Sequence, residues 1–192
     1  MSYSRSKTDV PSKGRNGGMS RLILVTGGAR AGKSSFAQKL AERGSFHKRL
    51  FVATAVPCDS EMRRRIAQHR RSRGGLWTTL EESTRLPDRL PVSFLAKGNL
   101  ILLDCLPTFL TNLLLQRKSD AQILSRVRRI LLRVRRPGLT TLLVTNEVGL
   151  GVVPEHPLGR RFRDLLGSAN QKVVQQAEEV YFLVAGIPMR LK

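Results

Sequence analysis

Eight consecutive residues have the clearest capacity for chemistry. Gly27, Gly28, Ala29, Arg30, Ala31, Gly32, Lys33 and Ser34 fit the pattern G-x-x-x-x-G-K-[ST]. Glycines so placed permit a tight turn whose backbone N–H groups converge on phosphate oxygens. A lysine there reaches the terminal phosphates, and the following hydroxyl can hold Mg²⁺. The pattern acts as a phosphate loop only between a strand and a helix, whose positive dipole end adds to the site. Residues 22–26 (LILVT) supply the strand. Residues 34–43, apolar at Phe36, Ala37, Leu40 and Ala41, supply the helix.

Two carboxylates belong to the same chemistry. Asp104 closes the apolar run 100–104 (LILLD), and Asn146-Glu147 follows 141–145 (TLLVT). An acid at the end of an apolar strand is the usual Mg²⁺-side carboxylate of phosphate-loop enzymes, which pairs Asp104 with Ser34 as oxygen donors. Either acid is equally readable as a strand-end cap.

The chain has three histidines, of which His69 lies among Arg63, Arg64, Arg65, Arg70, Arg71 and Arg73. Guanidinium groups favour neutral imidazole, the nucleophilic form, and the same groups can hold a triphosphate against it. That combination suits nucleotidyl transfer through a phosphohistidine-type intermediate. The plainer reading is a solvated histidine on a basic helix.

The elements that position these residues alternate. Residues 22–26, 50–53, 100–104, 141–145 and 180–184 are continuous apolar runs of strand length, which indicates strands buried on both faces of a parallel sheet. Amphipathic segments 34–43, 59–73, 107–116, 119–136 and 158–177 read as helices between them. The alternation predicts an α/β fold with right-handed crossovers and ligands outside the carboxyl ends of the strands. Residues 1–20 hold almost no large apolar side chain and are expected to be a disordered basic tail, leaving residues 21–192 as one domain. Met19, directly before the first strand, also fits a start placed too far upstream.

Composition narrows the class. A hydrophobic fraction of 41% suits a soluble protein, and no apolar run approaches the roughly 18 residues that a membrane span needs. The two cysteines, Cys58 and Cys105, match no metal-ligand spacing and read as reduced thiols of a cytoplasmic protein. The formal charge of +20 is the unusual number. It implies phosphate-rich partners: nucleotides, nucleic acid or anionic membrane. The charge gathers in the tail and in residues 63–73 and 126–136, the last of which reads also as a solvated surface.

Several stretches together carry a resemblance. Residues 22–34 (LILVTGGARAGKS), 65–70 (RIAQHR), 103–114 (LDCLPTFLTNLL) and 142–154 (LLVTNEVGLGVVP) resemble the bifunctional cobinamide kinase/guanylyltransferase family, as do RFRD at 161–164, Asn170-Gln171 and AGIP at 185–188. The match runs in order from residue 21 onward. It implies a P-loop NTPase (RecA-like) three-layer fold and two reactions. One phosphorylates the aminopropanol hydroxyl of adenosylcobinamide from ATP or GTP. The other transfers GMP from GTP to that phosphate by way of a guanylyl-histidine, which the resemblance assigns to His69. It also implies nucleotide contacts at residues 27–34, at Ala53, Thr54 and Ala55, at Arg70, Arg71, Ser72 and Arg73, and at Glu81 and Asp104, and a homotrimer. Pro107 stands where many relatives have threonine, and Gln68 where some have a further histidine.

Two other functions compete. A phosphate-loop kinase without guanylyl transfer would need the loop but not His69. A nucleic-acid-binding protein would explain the charge, but the sequence has only 5% aromatics for base stacking and no recognised nucleic-acid motif.

Overall fold

The computed structural model describes residues 19–56 and 74–192. The helix expected at 59–73, with His69, Arg70, Arg71, Ser72 and Arg73, lies outside the described residues, as does most of the tail.

In chain order the elements are β1 (Arg21–Gly27), α1 (Lys33–Arg43), β2 (Arg49–Ala53), β3 (Thr78–Glu81), β4 (Leu100–Asp104), α2 (Leu106–Leu115), α3 (Asp120–Val134), β5 (Thr140–Val144), α4 (Pro157–Gln176), β6 (Glu179–Val184) and β7 (Ile187–Arg190). Among the described residues these strands form one sheet in the order β3-β2-β4-β5-β1-β6-β7. All neighbours are parallel except β7, which returns antiparallel against β6.

The sequence dictates this layering. β1, β4 and β5 are apolar at successive positions, so both sheet faces must be covered. Leu22, Leu24, Ile101, Leu103 and Leu143 enter one core with the inward sides of α2, α3 and α4. Ile23, Val25, Leu100, Leu102, Leu142 and Val144 enter the other, against Ala37 and Ala41 of α1. Each fully buried Leu or Val contributes roughly 1.5–3 kcal/mol relative to exposure, which favours the sandwich over any arrangement exposing one face. The result is three layers with a mainly parallel central sheet, as expected.

Boundaries move by one or two residues. α1 begins at Lys33, inside the loop motif, and Pro107 occupies the first turn of α2 behind Cys105. Ser119 caps α3: its side chain accepts the Gln122 N–H while Gln122 Oε1 accepts the Ser119 N–H. This reciprocal pair satisfies two otherwise orphaned donors. Strands β3 and β7 were not expected from the sequence.

Candidate active site

β1 delivers the chain to the sheet's carboxyl edge at Gly27. There φ is +144°, and a β-carbon would stand 2.4 Å from the Leu183 carbonyl oxygen of β6. Only glycine lets β1 run this close to its neighbour and still turn. Gly32, at φ +85°, ends the loop beside the β6–β7 turn and starts α1, where its carbonyl accepts the Phe36 N–H. Gly28, Ala29 and Arg30 between them are exposed, and Ala31 is buried.

Lys33 is buried although it is a lysine, and its Nζ donates to Gly28 O at 2.5 Å. Burial pulls the ammonium below its ordinary pKa, while Cys105 and Asp104 act in the opposite direction. An ammonium so placed gains from any phosphate that restores the lost solvation. Ser34 follows in the first turn, half-buried.

Asp104 ends β4 at the same edge. A cis peptide joins it to Cys105, which opens α2. Thr54, at the end of β2, bridges the two strands. Its hydroxyl donates to Cys105 O at 2.8 Å and accepts Cys105 N–H at 2.9 Å, and its own N–H donates to Asp104 O at 3.2 Å. Asn112 of α2 completes the joint by donating to Thr54 O at 2.9 Å and Ser83 O at 3.1 Å. Burial pushes the Cys105 thiol up, with the Asp104 charge adding to it. The thiol lies 3.1 Å from the Thr108 hydroxyl.

β5, between β4 and β1, contributes Glu147. The Glu147 N–H donates to Gly27 O at 3.1 Å, which ties it to the first residue of the loop. Its Oε1 accepts the Gly149 N–H at 2.6 Å. The turn is also anchored on α4: Thr145 Oγ1 donates to Asn170 Oδ1 at 2.7 Å, and Asn170 Nδ2 donates to Asn146 O at 3.0 Å.

The structure therefore brings together residues 27–34, Thr54, Asp104 and Glu147, and sets Ala53 and Ala55 beside Thr54. It does not bring Glu81 to the phosphate loop. Glu81 ends the edge strand β3, four strand spacings from β1 in the sheet order, or about 19 Å. Sequence reasoning assigned no positioning role to three groups. Asn112 and Asn170 fall within the stretches that carry the resemblance, but nothing local shows what they hold. Glu82 carries the third. Its burial resists ionisation, but Thr84 and Arg85 N–H groups and the Arg85 and Arg89 charges outweigh that and hold the carboxyl below its ordinary range.

Oxygen donors for Mg²⁺ are present in kind: the Ser34 hydroxyl and the Asp104 carboxylate. Mg²⁺ ordinarily takes one or two carboxylates, water and substrate phosphates, so this small donor set fits it. Among the described residues no cluster of three metal-ligating side chains forms.

A phosphate loop between a buried strand and a helix, with acids at the end of β4 and just after β5 on the same sheet edge, defines a P-loop nucleotide-binding α/β protein. A prototypical ATPase from the type III secretion system of pathogenic bacteria shares the fold, with TM-score 0.57 and 12% identity. The similarity covers 85% of this chain and about half (51%) of that one. The model of the cobinamide kinase / cobinamide phosphate guanyltransferase family matches residues 23–191. The bifunctional adenosylcobalamin biosynthesis protein CobP of Pseudomonas aeruginosa is 45% identical over 171 residues, 88% of this chain and 96% of its own. CobU of Salmonella typhimurium is 39% identical over 183 residues, 89% of this chain and 99% of its own. The chain belongs to the cobinamide kinase / cobinamide phosphate guanyltransferase family and is an enzyme of that family.

Proposed function

We propose that this enzyme phosphorylates the aminopropanol hydroxyl of adenosylcobinamide from a nucleoside triphosphate and then transfers GMP from GTP to the new phosphate. The observation that carries the reading is the buried Lys33 beside Asp104 at the carboxyl edge, in a chain matched by the family model from residue 23 to 191.

In the kinase step residues 27–34 cradle the triphosphate, and Lys33 follows the charge that develops on the transferred phosphoryl group. Ser34 and Asp104 would hold Mg²⁺, which when bound neutralises phosphate charge. Glu147, tied to Gly27 on the adjacent strand, is placed to accept the proton of the attacking hydroxyl. Ala53, Ala55 and Glu81 line the edge further from the loop, with the buried Thr54 holding the joint beneath them, and we assign the rest of the nucleotide to that stretch.

In the transfer step an imidazole nitrogen of His69 attacks the α-phosphorus of GTP and pyrophosphate leaves. The phosphate oxygen of the corrinoid then attacks, and the phosphorus–nitrogen bond breaks. Arg70, Arg71, Ser72 and Arg73 would hold the triphosphate during the first half. Support for this step rests on sequence and family alone. The enzyme is proposed to work in the cytoplasm as a homotrimer. Exposed apolar groups at the carboxyl edge (Leu150, Val152, Val153, Val184 and Ile187) favour subunit contacts near the site.

Incubation with α-labelled GTP and Mg²⁺ tests the reading. An acid-labile, base-stable label that vanishes in His69→Ala is expected. No label on folded protein that still phosphorylates adenosylcobinamide would replace this reading with a kinase lacking guanylyl transfer.

A further inference from the structure

The nucleotide site occupies the carboxyl edge of the sheet, yet five exposed basic side chains lie at or lead toward the opposite, amino edge. Backbone hydrogen bonds assemble that edge from segments distant in sequence. His47 N–H donates to Gly98 O at 2.9 Å, Gly98 N–H to Gly138 O at 2.9 Å, and Gly138 N–H to Met19 O at 3.1 Å. Lys97 lies against Gly138, where an added β-carbon would stand 2.4 Å from its Cγ. Arg135 lines one crevice with Ser20, Arg21 and Gln176.

This edge and the outer stripe of α3 leading to it present Lys48, Lys97, Arg128, Arg135 and Arg136, all exposed. Among the described residues none of the five forms an ion pair. The acids of the edge are engaged: Glu178 accepts the Leu22 N–H at 2.5 Å, and Glu179 lies between Arg21 and Arg190.

Four aliphatic side chains stand among these charges. Met19 is 84% exposed, Val92 73%, Leu132 57% and Leu191 64%. Val92 belongs to this edge because Asn99, just before β4, donates to the carbonyl of its neighbour Ser93 at 3.1 Å. Leu191 belongs because its N–H donates to Val180 O at the start of β6.

We infer that this amino edge docks on an anionic phospholipid bilayer. Basic residues near such a surface each strengthen binding about fivefold, and aliphatic side chains gain by entering the headgroup boundary. Nucleic acid would reward the same arginines but not the aliphatic groups. A single strand would draw on aromatic stacking, and none of the exposed large apolar side chains among the described residues is aromatic. A second copy would bring like charges together. Docking by this edge leaves the nucleotide site facing water, so the inference stands apart from the catalytic reading.

The full chain is sedimented with vesicles of phosphatidylcholine mixed equally with phosphatidylglycerol, and with vesicles of phosphatidylcholine alone. Binding to the anionic vesicles only is expected, weakening as salt rises. The variant R128Q/R135Q/R136Q should lose roughly a hundredfold in affinity while binding a fluorescent GTP analogue as the parent does. Leu132→Ser should weaken vesicle binding but leave binding to duplex DNA unchanged. Equal affinity of the triple variant and the parent overturns the inference, as does equal binding to neutral vesicles. Duplex DNA bound more tightly than anionic vesicles, with vesicle binding indifferent to Leu132→Ser, would make the edge a nucleic-acid surface instead.

Discussion

Thr54 offers the sharpest test of how the site is held. It is fully buried, and its single hydroxyl serves both backbone groups of Cys105, at 2.8 and 2.9 Å. Thr54→Val keeps the shape of the side chain and removes only the polar atom. The Cys105 N–H and C=O then lose this partner in a space that valine keeps dry. The Cys105 carbonyl keeps the Phe109 N–H at 3.3 Å, so only the Cys105 N–H is orphaned. That orphaned group costs about 1–3 kcal/mol, the carbonyl's lost second bond about 1 kcal/mol more, and the extra methyl returns about 1 kcal/mol. The net loss is about 1–3 kcal/mol. In urea, with a slope near 2 kcal/mol/M, the unfolding midpoint should fall by about 0.5–1.5 M. Thr54→Ser keeps the bridge and loses one methyl, so it should cost about 1 kcal/mol. Because Cys105 directly follows Asp104, Thr54→Val should also slow the kinase step about tenfold, which is about 1.4 kcal/mol of barrier. A Thr54→Val midpoint within error of the parent would refute the reasoning. So would a Ser variant as unstable as the Val one.

Other outcomes follow from the same edge. Gly27→Ala places a β-carbon 2.4 Å from the Leu183 carbonyl oxygen at a φ suited to glycine. It should weaken nucleotide binding at least tenfold and lower thermal stability by about 1–3 kcal/mol, and unchanged GTP affinity by calorimetry would contradict the close packing of β1 on β6. Glu147→Gln should slow phosphorylation of adenosylcobinamide about a hundredfold or more while GMP transfer to ready-made adenosylcobinamide phosphate continues. Equal loss of both steps would make Glu147 a structural residue. Burial and the hydrogen bond to Glu179 push the Tyr181 phenol up to about 12. The folded state holds that proton more tightly than the unfolded chain does. Its stabilising contribution is therefore complete below pH 10 or so and lost as pH rises through about 12. Phenolate absorbance should show a late-titrating tyrosine, brought earlier by Glu179→Gln.

The parts of the fold legible in the sequence were those with both faces buried. β1, β4 and β5 read as unbroken apolar runs because two layers of helix cover them. β3 did not, because three of its four residues are exposed and pair only with β2. β7 did not either, since its hydrogen bonds to β6 place a proline and exposed Ile187 and Met189 on an edge. At the site, the loop and Asp104 were visible because their chemistry requires fixed neighbours in sequence. Ala53, Thr54 and Ala55 were visible as the carboxyl end of the second strand, but their role as nucleotide contacts entered through the family resemblance. Thr54 meets Cys105 across 51 residues, and nothing local in either segment records that contact. Asn112 reaches Thr54 across 58 residues and Asn170 reaches Thr145 across 25, so their positioning roles went unread for the same reason.

The strand order supports the proposed division of work between the two carboxylates. Asp104 ends β4 and Glu147 follows β5, so the acids stand on adjacent strands, but only Asp104 acts on the Lys33 charge. Glu147 is instead fixed through its backbone to Gly27 and through its carboxylate to the Gly149 N–H. An acid coupled to the phosphate lysine is suited to the metal side of a phosphoryl group, where opposite charges already gather. An acid held apart from that lysine, and positioned by the turn after β5, stays available to take a proton from an incoming hydroxyl. The exposed Leu150, Val152 and Val153 lie in the same turn. The proposed division of labour between metal side and acceptor side therefore follows from β5 lying between β4 and β1.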